Sequence, residues 1–355
     1  MFYLTLLICF ISSILITPLV KKLAFKIGAT DKPNQRKVHQ KIMPRLGGLA
    51  IFISFLIGFM IWDWGQYSEY AMAIMIGSTI IIITGILDDM MELSAKVKFG
   101  GQLIAAAVVV ILGGIQLEFI DVPFFGQINF GFLEIPITIL WIVGITNAIN
   151  LIDGLDGLAA GVSSIALIAI SGMAMFMGYG FVSVMGAIVF ASTLGFLLYN
   201  FHPAKIFMGD TGALFLGFMI SVLSLLGFKE LTLISLIIPV IILGVPISDT
   251  LFAIIRRIVN KQPISAPDKS HLHHCLLKVG FTHRQTVLII YAIAAFFALV
   301  AVIFSQAKIW GAVILVAVLV VLIEIFAEKI GLVGKDHKPL LKFMRGLRYS
   351  AAKDR

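Results

Sequence analysis

Long apolar stretches alternate with short polar clusters along most of the chain. The apolar stretches are about 20 residues long, which is the length that crosses the hydrocarbon core of a bilayer as a helix. Stretches such as 108–112 do not alternate between apolar and polar residues, as the strands of a membrane β-barrel would. The pattern predicts an all-α, polytopic membrane protein with about eleven spans. The spans are expected at about 2–20, 46–62, 70–87, 98–116, 135–151, 157–178, 181–199, 211–228, 231–254, 286–305 and 308–327.

Lysine and arginine are distributed unequally between the two sets of loops. All but two of the 27 Lys and Arg residues lie after the odd-numbered spans or in the C-terminal tail, the exceptions being Lys229 and Lys308. Because cytoplasmic loops are rich in these residues, the bias predicts an outside N-terminus and a cytoplasmic C-terminus. Lys21 and Lys22 follow the first apolar stretch instead of preceding it, so we expect a retained helix and not a signal peptide.

The composition agrees with a protein embedded in lipid. Of the 355 residues, 60% are hydrophobic and 13% are charged, whereas soluble domains are about 25% charged. The net charge of +8 follows from the positive cytoplasmic loops, so no nucleic-acid partner is expected. Cys9 and Cys275 do not indicate a disulfide framework. We expect residues 1–328 to form one transmembrane domain and residues 329–355 to form a basic cytoplasmic tail on anionic lipid.

Five polar clusters interrupt the apolar stretches, and the charge bias places all of them on the cytoplasmic side. Carboxylates near a bilayer are costly, so their collection on one face indicates a functional site. The clusters are Asp88-Asp89, residues 147–156, residues 205–210, residues 249–269 and residues 271–274.

The first cluster is an acidic pair, Asp88 and Asp89, followed by Glu92 and Lys96. Adjacent carboxylates repel each other unless a cation lies beside them. Such a pair can hold a divalent ion, or one member can act as a base while the other binds metal. The alternative is a hydrated helix end in which Glu92 and Lys96 form an i,i+4 pair.

The second cluster repeats a polar residue at every third position, at Asn147, Asn150, Asp153 and Asp156. On a helix this spacing makes a slowly drifting polar stripe. Amides and carboxylates together suit hydrogen bonding to a nucleotide or sugar, or metal ligation. Polar packing between helices is the alternative.

The third cluster contains Asp210 between two glycines, directly before an apolar stretch. Asp210 could cap the following helix. It could also reach a metal ion shared with a phosphate, because helix N-termini favour phosphate.

The last two clusters are cationic. Arg256 and Arg257 match phosphate oxygens in geometry, although they are equally the usual positive flank of a span. The three histidines of the fifth cluster resemble a phosphate-handling or substrate-orienting group more than a zinc site, since Cys275 is the one further ligand at zinc-site spacing. These histidines are His271, His273 and His274, and further cations precede the second span at Arg36, Lys37, His39 and Arg45.

Together the clusters predict a carboxylate-rich, cation-rimmed surface at the depth of the lipid headgroups. The sequence contains no G-x-x-x-x-G-K-[ST] loop and no G-x-S-x-G elbow, so neither ATP-driven work nor esterase chemistry is expected. Metal-assisted phosphoryl transfer from a soluble nucleotide compound to a membrane-embedded acceptor fits best. A transporter is the alternative from another class, but its charges would be expected near the bilayer midplane.

In this order the motifs resemble those of the polyprenyl-phosphate N-acetylhexosamine-1-phosphate transferases, over nearly the whole length from Arg36 to Arg284. The form of the histidine loop is similar to the branch that transfers GlcNAc-1-phosphate and begins wall teichoic acid synthesis in Gram-positive bacteria. One departure is Ala213, where the family often has serine.

The resemblance implies transfer of GlcNAc-1-phosphate from UDP-GlcNAc to undecaprenyl phosphate, with UMP released. It implies Mg²⁺, or Mn²⁺, as cofactor, and the bacterial plasma membrane as location. A homodimer is compatible with the sequence, which does not fix the oligomeric state. Transfer of phospho-MurNAc-pentapeptide is the alternative within the family, and a one-step or two-step reaction remains open.

Roles for individual residues follow from the same resemblance. Asp89 and Asp210 are predicted metal ligands, and Asp88 is predicted to deprotonate or position the lipid phosphate. The predicted substrate-binding residues are Arg45, Lys96, Asn147, Asn150, Asp153, Asp156, Arg257, His271, His273 and His274.

Overall fold

The computed structural model describes residues 1–31, 42–122, 126–228, 233–263, 268, 270–332 and 341. Within them the chain is almost entirely helical. The helices are α1 (Phe2–Ile27), α2 (Gly47–Ile61), α3 (Ser68–Met91), α4 (Ala95–Ile111), α5 (Glu134–Ile152), α6 (Leu158–Phe176), α7 (Gly180–Asn200), α8 (Gly209–Gly227), α9 (Leu233–Ile242), α10 (Gly244–Val259), α11 (Leu272–Val279), α12 (His283–Gln306) and α13 (Ile309–Ile330). Two antiparallel pairs complete it, β1 (Thr30–Asp31) with β2 (Met43–Pro44) and β3 (Phe119–Val122) with β4 (Gly126–Asn129).

The prediction of an all-α polytopic membrane protein is confirmed. In the described part of the chain, eight helices are long and apolar enough to cross a membrane, or nine if α9 and α10 count as one bent span. α2 and α4 coincide with predicted spans but are shorter, at 15 and 17 residues. The number of crossings and the orientation of the termini stay predictions.

The ninth predicted span is broken in the middle. Its two halves, α9 and α10, meet at an angle of 83°. Pro246 lies in the first turn of α10, where its ring would clash with the carbonyl of Ile242 if the helix ran straight on. The bend turns α10 across the ends of its neighbours, so that its buried face carries Asp249, Arg256 and Arg257.

Helix α8 lies at the centre of the bundle. It packs against α2, α3, α5, α6 and α7, and every residue from 211 to 225 is buried. The backbones of α2 and α8 touch, because a Cβ atom added to Gly48 would lie 2.0 Å from the Gly212 amide nitrogen. Close approach of this kind is how helices gain packing energy in a bilayer.

The polar clusters lie at one end of the bundle, where several helices end or begin. α3 continues through Met91, so Asp88 and Asp89 lie on its last turn and not in the loop that follows. α8 begins at Gly209 and includes Asp210 in its first turn. A parallel bridge between Arg45 and Phe207 joins the segment before α2 to the segment before α8.

Candidate active site

Asp89 of α3 holds the beginning of α8. Its side chain is fully buried, and its two oxygens accept hydrogen bonds from the Asp210 and Thr211 amides at 3.0 Å and from the Thr211 hydroxyl at 2.6 Å. A carboxylate at this position satisfies amides that lack partners within the helix and interacts favourably with the helix dipole. Gly209, at φ 72°, is required here, since a Cβ atom would lie 2.5 Å from Asp89 Oδ2.

Arg45 supplies positive charge beside this carboxylate. Its Nε lies 3.2 Å from Asp89 Oδ1, and its terminal nitrogen donates to the Asp88 carbonyl at 3.2 Å. A second terminal nitrogen lies 3.9 Å from the carboxylate of Asp31. Arg45 therefore joins the strand pair to the acidic end of α3.

Lys98, in the first turn of α4, is the cation that bridges the acids. Its ammonium lies 2.8 Å from Asp88 Oδ2 and 2.7 Å from Asp210 Oδ1. The other oxygen of Asp88 accepts a hydrogen bond from the Leu93 amide at 2.8 Å. Both oxygens of Asp88 are thus engaged, which makes it a residue that positions Lys98.

Lys96, which the sequence predicted to bind substrate, is exposed and takes no part in the contacts among the acids. Residues two positions apart on a helix point about 200° apart, so Lys96 and Lys98 cannot face the same site. Glu92 is in a left-handed conformation after α3, which ends the helix on which the proposed pair with Lys96 depended. A signal for Lys98 exists, because it continues the buried face of α4 that includes Gln102, Ala105 and Val109.

Asn150 and Asp153 bring the end of α5 to the same place. The Asn150 amide donates to Asp210 Oδ1. No hydrogen bond from a described residue reaches the Asp153 carboxylate. Burial, together with the nearby charges of Asp210, Asp89 and Asp156, raises its pKa to about 8. The site therefore has an excess of negative charge that a bound cation would offset.

Asp156 forms a second polar group with two histidines. Its Oδ2 lies 2.8 Å from His202 Nδ1 and accepts from the Ala204 amide at 3.0 Å. Its own amide donates to His283 Nε2 at 3.0 Å, and the two imidazole rings stack at 4.2 Å. Ligand atoms of Asp156, His202 and His283 lie within 4.8 Å of one another, close enough for a metal ion. His202 Nδ1 already contacts the Asp156 carboxylate and His283 Nε2 already accepts from the Asp156 amide, so we assign the group to shaping the cavity wall.

The histidine loop is fixed by Asp249 of α10. One Asp249 oxygen lies 2.9 Å from His271 Nδ1, and the other accepts from the Leu272 amide at 2.8 Å. This holds the first turn of α11, which presents His273 and His274. Burial, followed by the charge of His274, lowers the pKa of His273 to about 3, so this imidazole is neutral near pH 7.

These residues surround a cavity of 610 Å³ that we call the polar cavity. Its size is that of a site for a small molecule. Eight of the predicted site residues line it, namely Arg45, Asp89, Asn150, Asp153, Asp156, Asp210, His273 and His274. Residues that sequence reasoning did not select also line it, including Asp31, Asn200, His202, Phe207 and His283.

Several predicted site residues do not line the polar cavity. Asn147 pairs its amide with Gln102 of α4, which matches the alternative of polar packing between helices. His271 contacts the Asp249 carboxylate and does not line the cavity. Arg257 is buried, and its Nε has no hydrogen-bond partner among the described residues. Arg36, Lys37 and His39 lie outside the described residues.

Comparison with known proteins shows the family of the chain. The family model of glycosyl transferase family 4 matches residues 71–228. The chain is 54% identical to a "Probable undecaprenyl-phosphate N-acetylglucosaminyl 1-phosphate transferase" of Bacillus subtilis, over 94% of this chain and 93% of the relative. It is 34% identical to a "Decaprenyl-phosphate N-acetylglucosaminephosphotransferase" of Mycolicibacterium smegmatis, over 86% and 84%.

A third relative comes from the other branch considered above. The chain is 34% identical to a "Phospho-N-acetylmuramoyl-pentapeptide-transferase" of Halalkalibacterium halodurans, over 84% of this chain and 96% of the relative. The chain therefore belongs to the polyprenyl-phosphate N-acetylhexosamine-1-phosphate transferases of glycosyl transferase family 4 and is a multi-pass membrane phosphotransferase.

Proposed function

We propose that the protein transfers GlcNAc-1-phosphate from UDP-GlcNAc to undecaprenyl phosphate, giving undecaprenyl-diphosphate-GlcNAc and UMP. The observation that carries this proposal is the polar cavity at one end of the helical bundle. There Asp153, which receives no hydrogen bond from a described residue, lies in the same cavity as the guanidinium of Arg45. Such a position allows a soluble nucleotide sugar and a lipid phosphate to reach the same atoms. The reaction would take place at the cytoplasmic face, as the charge bias predicts.

The donor would lie along the cavity from its aromatic wall to its acidic wall. Phe207, half-buried in the segment before α8, lines the cavity and would contact the uracil. Polar atoms of the Asp156 and His202 group stand beside it. Arg45 and the neutral His273 would contact the diphosphate and the sugar, because guanidinium and imidazole groups donate to phosphate and hydroxyl oxygens.

The donor set fits a hard divalent cation. Asp153 has no hydrogen-bonded partner among described residues, and Asp210 lines the same cavity, so both offer carboxylate oxygens of the kind that Mg²⁺ or Mn²⁺ prefers. Both oxygens of Asp89 are occupied by α8, so we place Asp153, in preference to Asp89, beside Asp210 as the second ligand. When bound, the cation would neutralise charge on the diphosphate and on the departing UMP.

In the proposed transfer, an oxygen of the lipid phosphate attacks the β-phosphorus of UDP-GlcNAc. The bond from that phosphorus to the oxygen bridging the two phosphates breaks, and UMP leaves with the bond electrons. A phosphate monoester is largely dianionic at pH 7, since its second pKa is about 6, so no general base is required. Asp88 would therefore act through Lys98, which it holds against Asp210.

The choice of GlcNAc over MurNAc-pentapeptide rests on two observations. The chain is 54% identical to a relative named for GlcNAc-1-phosphate and 34% identical to one named for the muramoyl-pentapeptide. The histidine loop also has the form of the GlcNAc branch. We further propose that the product begins wall teichoic acid synthesis in a Gram-positive bacterium.

A transfer assay with two donors tests the proposal. Purified protein in detergent receives undecaprenyl phosphate and either radiolabelled UDP-GlcNAc or radiolabelled UDP-MurNAc-pentapeptide, with Mg²⁺, with Mn²⁺ or with a chelator. We expect metal-dependent label in the lipid fraction from UDP-GlcNAc alone, with UMP released in equal amount. Transfer from the pentapeptide donor instead would overturn the donor assignment. Metal-independent transfer would overturn the roles of Asp153 and Asp210.

A further inference from the structure

A second cavity lies between α10, α12 and α13, away from the polar cavity. Its volume is 330 Å³, near the lower end of the range of about 300–1,000 Å³ for ligand sites. Ser248, Asp249 and Lys329 are its polar lining residues, and all others are apolar. Because its lining is mostly apolar, we call it the apolar cavity. It shares no lining residue with the polar cavity.

One face of α13 forms a wall of the apolar cavity and ends in a cation. Leu319, Leu322, Phe326 and Lys329 follow one another at spacings of three and four residues, which places them on one side of the helix. Lys329 is exposed in the last turn, and no described residue forms an ion pair with it. The apolar wall thus runs along the helix to a positive charge at its predicted cytoplasmic end.

The loose packing of α13 explains why the space exists. Only 11% of the most apolar stretch of α13 is buried in the protein. An empty gap between two helices forfeits the dispersion contacts of its lining. In a bilayer a hydrocarbon chain restores those contacts at little cost, because lipid tails are as apolar as the side chains.

Asp249, the acidic residue of the lining, does not face an anionic headgroup at the mouth of the cavity. Both carboxylate oxygens of Asp249 are turned towards α11, where they bind the His271 imidazole and the Leu272 amide. Lys329 is then the charge that faces a headgroup. A cation near the membrane surface favours an anionic lipid by about 1 kcal/mol, which corresponds to about fivefold in affinity.

We propose that the apolar cavity binds an acyl chain of an anionic glycerophospholipid whose phosphate pairs with Lys329. The site also touches the catalytic apparatus, because Asp249 and Leu272 line the cavity and fix the first turn of α11. A bound lipid would support the position of His273 and His274. This second step rests on the proposed function, whereas lipid binding itself does not.

Lipid binding is tested by native mass spectrometry of delipidated full-length protein. Phosphatidylglycerol and phosphatidylcholine with identical acyl chains are titrated in parallel. We expect one phosphatidylglycerol per chain, retained about fivefold more tightly than phosphatidylcholine. Lys329→Gln should remove this preference, and Ile323→Trp, which fills the cavity, should weaken retention of both lipids. Lys26→Gln is the matched control, since Lys26 is an exposed cation in the last turn of α1 and lines neither cavity.

Each outcome decides the proposal. Equal retention of the two lipids by the unmodified protein, or a loss in Lys26→Gln equal to that in Lys329→Gln, would overturn the assignment to Lys329. Displacement of phosphatidylglycerol by undecaprenyl phosphate, one for one, would show that the cavity belongs to the substrate lipid and would also overturn it.

A transfer assay in nanodiscs then tests the link to catalysis. We expect phosphatidylglycerol to stimulate the unmodified protein and Lys26→Gln, but not Lys329→Gln, whose rate in pure phosphatidylcholine should equal that of the unmodified protein. Selective binding without stimulation would overturn the link and leave the lipid site standing. Inactivity of all proteins, with selective binding retained, would count against the proposed reaction and not against the site.

Discussion

Helices α8 and α13 are similar in length but occupy opposite environments. α8 has 19 residues and 83% of its most apolar stretch is buried, whereas α13 has 22 residues and only 11% is buried. α13 is nevertheless the more apolar of the two. In a bilayer, apolarity does not drive a helix to the interior, because lipid tails solvate it as well as other helices do.

What distinguishes α8 is its small and hydroxyl side chains. Gly212 and Gly217 let the backbones of other helices approach closely. The buried hydroxyls of Ser221 and Ser224 donate hydrogen bonds to backbone carbonyls of α8 itself. The first turn of α8 also carries the acid at the centre of the polar cavity. Close packing thus fixes Asp210, while loose packing beside α13 leaves room for lipid.

Neutralising one carboxylate in each helix gives the largest expected contrast. Asp210→Asn removes a proposed metal ligand and the partner of Lys98, so we expect the transfer rate to fall about a thousandfold or more. Glu324→Gln in α13 should change the rate less than twofold, because Glu324 lines neither cavity. Initial rates with UDP-GlcNAc, on variants matched for thermal stability, measure both. More than about a tenth of the rate remaining in Asp210→Asn would argue against ligation, since that corresponds to only about 1.4 kcal/mol of barrier.

A lysine pair on α4 extends the contrast to the partner of Asp210. Lys98→Met removes charge-assisted hydrogen bonds to Asp88 and Asp210. A hydrogen bond to a charged group contributes about 1.5–3 kcal/mol, and the loss of one such bond to the transition state lowers the transfer rate by about tenfold to a hundredfold. Lys96→Met is the control, because Lys96 is exposed two residues away, and it should stay within twofold. Equal losses in the two variants would show that general surface charge, and not the bridge, is responsible.

Part of the fold could be predicted from the sequence alone. Long apolar stretches were sufficient for the helical membrane fold and for most helix positions, whereas the orientation predicted from Lys and Arg stays a prediction. They could not reveal the 83° bend between α9 and α10, because the apolar stretch continues through it. The one local signal was Pro246, which is tolerated in a first turn but not in a continuous helix.

The candidate site was predictable in its carboxylates and less so in its cations. Asp89, Asp153 and Asp210 stand out because acids are rare in this chain, and the structure brings them together. Lys98 was missed, although its helical phase with Gln102, Ala105 and Val109 distinguishes it from Lys96. The partners of Asp89 are amides of another helix, and tertiary contacts of that kind leave no pattern in the sequence.

A glycine-to-alanine change in each packing environment should affect the thermal stability of the protein differently. Gly48→Ala would place a Cβ atom 2.0 Å from the backbone of α8, whereas the same change at Gly311 of α13 would meet only Ala307 at 3.7 Å. Overpacking costs about 1–3 kcal/mol and more against backbone, so we expect a clear fall in melting temperature for Gly48→Ala. Gly311→Ala should be neutral or stabilising by about 1 kcal/mol or less. Thermal unfolding in one detergent compares them, and a neutral Gly48→Ala would show that α2 and α8 lie further apart.

The smallest expected effect concerns α11, which lies between the two environments. The pKa of His273 is lowered from 6.5 to about 3, chiefly by burial, so a proton binds the unfolded chain more readily than the folded one. The stability that depends on a neutral His273 is therefore complete well above pH 6.5 and declines as the pH falls towards 3, by about 1 kcal/mol between pH 6.5 and 5.5. His273→Asn should remove this part of the acid sensitivity, and His274→Asn, at a half-buried position, should remove less. Melting temperatures from pH 7.5 to 5 measure the slopes. An unchanged slope in His273→Asn would mean that the folded and unfolded chains bind a proton at His273 equally well, and that burial does not lower the pKa of this imidazole.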